Sequence, residues 1–236
     1  MKIRIAELNI EIQNRYPYTA RQCVGYEAEF DRADITVCVP IEDVKREFER
    51  SVEGCSPGYA EFICIYRAIA RELPRFGAFV FHASVVECDG RAYAFTATSG
   101  TGKSTHTALW LQEFGARARI INGDKPIFRF FGDTLYACGT PWCGKERQGC
   151  NAVSPLAALC FLERDTVNRI APIDDAEAVK HLFHQIFIPE SIEAAGLLFD
   201  LLDRTVRNIP TYLLGCNISP EAAHVAYRGM QRGENE

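Results

Sequence analysis

Apolar residues Tyr59, Phe62, Ile63, Tyr66, Ile69 and Ala70 recur at spacings of three and four, the period of a helix with one buried face. A helix is therefore predicted over 58–73, ended by Pro74. Upstream, strands are predicted near 2–10 and 34–39. Downstream, the runs 79–88 and 91–96 flank Asp89-Gly90, a dipeptide that tolerates positive φ at both central positions of a hairpin turn. Ala108, Leu109, Leu111 and Phe114 give 105–114 a helical face. Residues 118–122 read as a buried strand, and 127–131 with 134–138 read as a second hairpin joined at Gly132-Asp133. A strand at 157–162, another at 211–214, and helices over 174–187, 190–205 and 219–230 complete the pattern. The predicted class is α/β with a mixed, partly antiparallel sheet. Residues 1–75 form a smaller α+β unit and 76–236 a nucleotide-binding, kinase-like domain.

The chemistry concentrates in Ala97-Thr98-Ser99-Gly100-Thr101-Gly102-Lys103-Ser104-Thr105, which lies between a predicted strand and a predicted helix. Strand, glycine loop and helix is the order of a phosphate-binding loop. Glycines admit close approach of backbone N–H groups to a polyphosphate, and the helix N-terminus adds a favourable dipole. Ser99, Gly100, Thr101, Gly102, Lys103, Ser104 and Thr105 are the expected binders of a nucleoside triphosphate. Lys103 would neutralise the β and γ phosphates, and the Ser104 hydroxyl would hold Mg²⁺. The strict pattern has glycine at 97, where this chain has alanine, the smallest alternative. A Gly/Ser/Thr-rich turn before a helix is the bland alternative for the same residues.

Composition narrows the partners. The chain has 236 residues, a formal charge of −5 and no long basic run, which argues against a general nucleic-acid or anionic-membrane surface. No segment reaches the length of a membrane span, and the alternating Met1-to-Leu8 start does not read as a signal peptide, so the cytoplasm is expected. The ten cysteines include no Cys-x-x-Cys pair. Cys38, Cys64, Cys88, Cys160 and Cys216 sit in apolar stretches and read as small hydrophobes, while Cys143 and Cys150 flank a polar loop and supply only half of a soft-metal shell.

Phosphoryl transfer needs more than a loop. Asp124, at the end of the predicted strand 118–122, is placed to hold Mg²⁺ or, on the bland reading, to serve a turn. Lys145 and Arg147, in the glycine-rich stretch 139–149, would swing over the γ-phosphate, or else lie on a solvated loop. Trp142 would shape the pocket or anchor that loop. His82 is a candidate base, or a metal or carboxylate partner, set against the reading of a satisfied core histidine. His106 reads as structural or as a phosphate neighbour, and His181 with His184 as surface.

The run from about Phe81 to Leu162 resembles the HPr kinase/phosphorylase and ATP-dependent phosphoenolpyruvate carboxykinase superfamily. The resemblance rests on His82 before the loop, Ser99-Gly-Thr-Gly-Lys-Ser-Thr105, and Ile120-Ile-Asn-Gly-Asp124. It implies a P-loop core on a mixed sheet and phosphotransfer with ATP and Mg²⁺ as cofactors; the catalytic candidates are Asp124, Lys145 and His82. The acidic motif of those families usually carries two adjacent aspartates, one acting as base. This chain has Gly123-Asp124. The expected function is an ATP-dependent, Mg²⁺-requiring phosphotransferase acting on a hydroxyl, such as a serine of a peptide or protein or that of a small molecule. A nucleotide-responsive binding module without transfer is the alternative. No nucleic-acid or membrane partner is expected, and an oligomer is compatible with the sequence.

Overall fold

The computed structural model describes all residues except 52–54, 99 and 233–236, and only the backbone of residue 232. Ser99 of the expected loop thus lies outside the described residues. The first predicted strand is a hairpin instead: β1 (Lys2–Ile5) and β2 (Leu8–Ile12) pair antiparallel through Ala6 and Glu7, at φ 52° and 57°. Two consecutive positive φ values suit the right-handed twist of a two-residue hairpin. No glycine or asparagine marks the turn, so the sequence pattern does not reveal it. β3 (Ile35–Val37) joins β2 in parallel to close a three-stranded sheet.

Two helices that the sequence pattern does not predict precede the predicted one. α1 (Pro17–Gln22) starts at a proline that needs no N–H partner. The buried Glu61 carboxylate accepts the N–H groups of Arg15 and Tyr16 just ahead of it, at 2.8 and 3.0 Å. α2 (Ile41–Arg50) buries little beyond Val44, so its apolar signal is sparse. α3 (Pro57–Glu72) is the predicted helix, capped by the Ser56 hydroxyl and followed by a short turn in which Gly77 takes φ 67°.

The predicted strand 79–88 is broken in two. β4 (Ala78–Val80) pairs with β8 (Ile127–Phe131), whereas β5 (Ser84–Cys88) pairs with β6 (Arg91–Thr96) and β7 (Ala118–Asn122). The break falls at Phe81–Ala83, around His82. β8 and β9 (Thr134–Cys138) form the second hairpin. β10 (Val153–Arg164) is longer than expected because it serves two partners on one edge. Its first residues pair antiparallel with β9, and its last pair parallel with β12 (Thr211–Cys216), while β6 lies along the other edge. β11 (Arg169–Pro172), also not foreseen, pairs with β12. The order is β4-β8-β9-β10-β6-β5-β7, with β12 and β11 branching from β10.

α4 (Lys103–Phe114) and α7 (Glu221–Arg232) cover one face of β5–β7 and β12. α5 (Asp175–Phe183) and α6 (Ile192–Asn208) pack against the opposite apolar cluster, which includes Phe79, Phe81, Phe128 and Phe161. α5 ends four residues before its predicted limit because Gln185 and Ile186 turn away to pair with the His82 and Phe81 backbone. A third cluster joins β1–β3, α2 and α3 to Val80, Ile127, Cys138 and Trp142. Of the thiols read as small hydrophobes, Cys64, Cys88 and Cys160 are buried and Cys216 is half-buried, but Cys38 is exposed, since β3 ends one residue earlier. Among the described residues no helix is long and apolar enough to cross a membrane.

Candidate functional site

Pairing directions decide where the candidate residues meet. β6 and β12 run parallel to β10, and β5 runs antiparallel to both β6 and β7, so β6, β7, β10 and β12 all end at one edge. That edge gathers the glycine loop after β6, Asp124 after β7, Arg164 at the end of β10, and His82 just before β5. The crevice at the carboxyl ends of parallel strands is where open α/β sheets bind ligands.

In the loop, Gly100 and Gly102 take φ 81° and 123°, values that a side chain resists. Among the described residues no side chain caps α4 at Gly102, so the N–H groups of its first turn can face an anion. Lys103 is half-buried and donates to the Ala97 carbonyl at 3.2 Å. Burial pushes its ammonium down and the Asp124 carboxylate opposes that, so the two groups sense each other across the crevice. The Ser104 hydroxyl makes no hydrogen bond among the described residues, and Thr101 folds back on the Thr98 carbonyl. Thr105 is exposed. His106 turns inward: Trp110 Nε1 donates to its Nε2 at 3.1 Å, and burial pushes its pKa down to about 4.

Asp124 sits in a turn built by Asn122. The Asn122 Oδ1 accepts both the Asp124 and Lys125 N–H groups at 2.8 and 2.7 Å, while its Nδ2 donates to Thr140. His82 Nε2 lies 3.0 Å from Asp124 Oδ1, and Lys125 Nζ lies 3.7 Å from the same oxygen. Burial raises the Asp124 carboxyl, but the His82 hydrogen bond and the charges of Lys125, His82 and Lys103 outweigh it and hold it below the ordinary carboxylate range. The backbone of His82 is pinned as well: its N–H donates to Gln185 and its carbonyl accepts from Thr96.

The stretch 139–149 is strapped down along its length. Gly123 N–H donates to Gln148, Cys150 N–H to Ile121, and Lys125 N–H to Trp142. Trp142 is buried, stacks on Phe62 at 5.0 Å and donates to the Phe62 carbonyl. Of the two readings of this residue, the anchor is the one seen. Only the tip projects, with Lys145 and Arg147 exposed. No hydrogen bond or ion pair joins Lys145 to His82, Asp124 or Lys103. Cys143 and Cys150 donate to the Thr140 and Ile120 carbonyls, and burial pushes Cys143 up to about 11, which keeps its thiol neutral. Among the described residues no three His, Cys, Asp or Glu side chains form a metal shell.

The strap also accounts for Gly123. A Cβ there would lie 2.9 Å from the Cys143 carbonyl oxygen and 3.3 Å from that of Gln148. The space a second aspartate would need is filled by backbone. Two cations escaped the reading of roles. Lys125 was visible only as a neighbour of Asp124, and Arg164 lies just beyond the predicted strand 157–162. Arg164 donates to the Gly100 carbonyl at 2.6 Å and the Thr101 carbonyl at 3.4 Å, an arrangement that parallel pairing of β10 with β6 makes and sequence spacing cannot show. Of the two histidines expected on the surface, His184 is exposed, and His181 is part-exposed with its ring against that of Phe161 at 4.6 Å.

A Mg²⁺ ion bound with nucleotide needs one or two protein oxygens, the rest coming from phosphates and water. Asp124 and the unpartnered Ser104 hydroxyl fit that demand. The Lys103 and Lys125 ammoniums disfavour a bare cation, so the donor set suits an ion that arrives with a polyphosphate.

No protein-family profile matches the chain, and no curated protein does. Among solved structures it is similar to the Hpr(Ser) kinase/phosphatase from Coxiella burnetii, with 10% identity over 66% of this chain and 98% of that one and a TM-score of 0.39, a distant likeness on which no residue assignment rests.

Proposed function

We propose that the chain is an ATP-dependent, Mg²⁺-requiring phosphotransferase acting on a hydroxyl. The observation that carries this reading is the Asp124 carboxylate, 3.0 Å from His82, at the same sheet edge as a glycine loop that carries Lys103. The loop N–H groups and Lys103 would bind the triphosphate, and Ser104 with Asp124 would hold Mg²⁺, whose role when bound is to neutralise charge on the phosphates. In its neutral form, with Nε2–H given to Asp124, the His82 ring keeps a lone pair on Nδ1 that can take the proton of the acceptor hydroxyl. A carboxylate fixing a histidine tautomer is a recurring device in such sites. The role given elsewhere to a second aspartate would thus pass to His82. Lys145, at the tip of the strap and with no hydrogen bond or ion pair among the described residues, is a cation available to the transferring group.

Transfer of label from γ-labelled ATP with Mg²⁺ to hydroxy amino acids, peptides or cell extract tests this. Wild type should label an acceptor, and Lys103→Ala and His82→Asn should each lose about a hundredfold or more, the scale of charge stabilisation and of general base work. Undiminished transfer by Lys103→Ala would sink the assignment. The single carboxylate also fits a nucleotide-responsive binding module. ATP binding seen by calorimetry, with no transfer to any acceptor, would select that second reading.

A further inference from the structure

We propose that a cleft remote from the glycine loop binds a compact polyanion, a small molecule bearing two or more phosphate or carboxylate groups. The cleft, about 620 Å³, lies between α2, α3 and residues 187–190, a volume suited to a small ligand. Its walls carry four guanidiniums, Arg46 and Arg50 on α2 and Arg67 and Arg71 on α3, against the three carboxylates of Asp43, Glu47 and Glu190. These cations differ in what they have left to give. Arg67 is gripped by both oxygens of Glu47, one at 3.1 Å, so its fork is spent on orientation. Arg50 has no hydrogen bond or ion pair among the described residues, and Arg46 reaches only Asp43 of its own helix, at 3.3 Å.

Among the described residues, Arg71 is paired only with an exposed carboxylate. Its guanidinium stands over the Phe187 ring at 6.0 Å and meets Glu190 at 3.3 Å, where the Glu190 side chain is 87% exposed. An exposed carboxylate in that position contributes little and exchanges readily for a stronger anion. A guanidinium has five N–H donors, so Arg46, Arg50 and Arg71 retain unused donors from two helices facing one space. A molecule with two or more anionic groups can engage the donors of both helices at once. The inference does not rest on phosphoryl transfer.

Calorimetry with inorganic pyrophosphate, and separately with tricarballylate, tests it at constant ionic strength and without divalent metal. The Lys103→Ala chain is used alongside wild type, so that binding at the glycine loop is told apart. One-site binding that persists in Lys103→Ala is expected. Arg50→Ser with Arg71→Gln should weaken it at least about tenfold, the loss of two charge-assisted contacts. Glu190→Gln, which removes the competing carboxylate while keeping the shape, should tighten it. The probe that binds identifies the anionic group. Absence of heat with both probes in the Lys103→Ala chain, or binding indifferent to the double substitution, would overturn the proposal.

Discussion

Gly123 shows how a single missing side chain is read differently before and after the fold is known. In the sequence it is a departure from a paired-aspartate motif, whereas in the structure it is a packing requirement. Gly123→Asp should therefore damage the strap rather than supply a base. Crowding of this kind costs ~1–3 kcal/mol, so thermal unfolding should show a Tm lower by several degrees. An unchanged Tm would mean that the Cys143 and Gln148 carbonyls give way. Glu7 offers the opposite case. It is exposed and holds φ 57° without glycine's freedom, so Glu7→Gly should raise stability by ~0.5–1 kcal/mol, measurable as a higher urea midpoint. A lower midpoint would show that the positive φ costs less than the added freedom of glycine in the unfolded chain.

Among elements, the β5–β6 hairpin is tied to distant parts of the chain through its turn. Asp89 accepts from Arg117 at 2.5 and 2.9 Å and from the Tyr227 hydroxyl at 2.6 Å, linking the turn to the start of β7 and to α7. The Arg117 hydrogen bond, then that of Tyr227, holds the Asp89 carboxyl well below the usual range. A folded pKa below the unfolded one means stability that is present above the unfolded value and lost as pH falls through the folded one. The Tm gap between wild type and Asp89→Asn should be at its full size above the unfolded carboxylate value, about 4, and should begin to narrow only as pH falls below it. It should also shrink in high salt, because the pair faces solvent. A gap independent of pH would assign the effect to the turn alone. That Asp-Gly turn was legible because its residues need positive φ locally. The Ala6-Glu7 turn and the break at Phe81–Ala83 were not, since strand partners imposed them.

For the whole molecule, the third apolar cluster raises a question about the expected division at residue 75. It unites Ile3, Ile10, Phe62 and Ile65 with Ile127, Cys138 and Trp142, so residues 76–236 alone would expose the Trp142 face. Expressed alone, that segment should show red-shifted tryptophan emission and a broadened melt. A sharp melt with native emission would establish two independent units. The sequence by itself determined the glycine loop, its place between strand and helix, the marked hairpins and the long amphipathic helices, because turn chemistry and periodicity act over a few residues. Only the tertiary structure decided that His82 meets Asp124, that Arg164 reaches the loop, and that a strap fills the space beside Gly123. Each of those depends on strand pairings or backbone contacts between residues far apart in sequence, which leave no period and no motif along the chain.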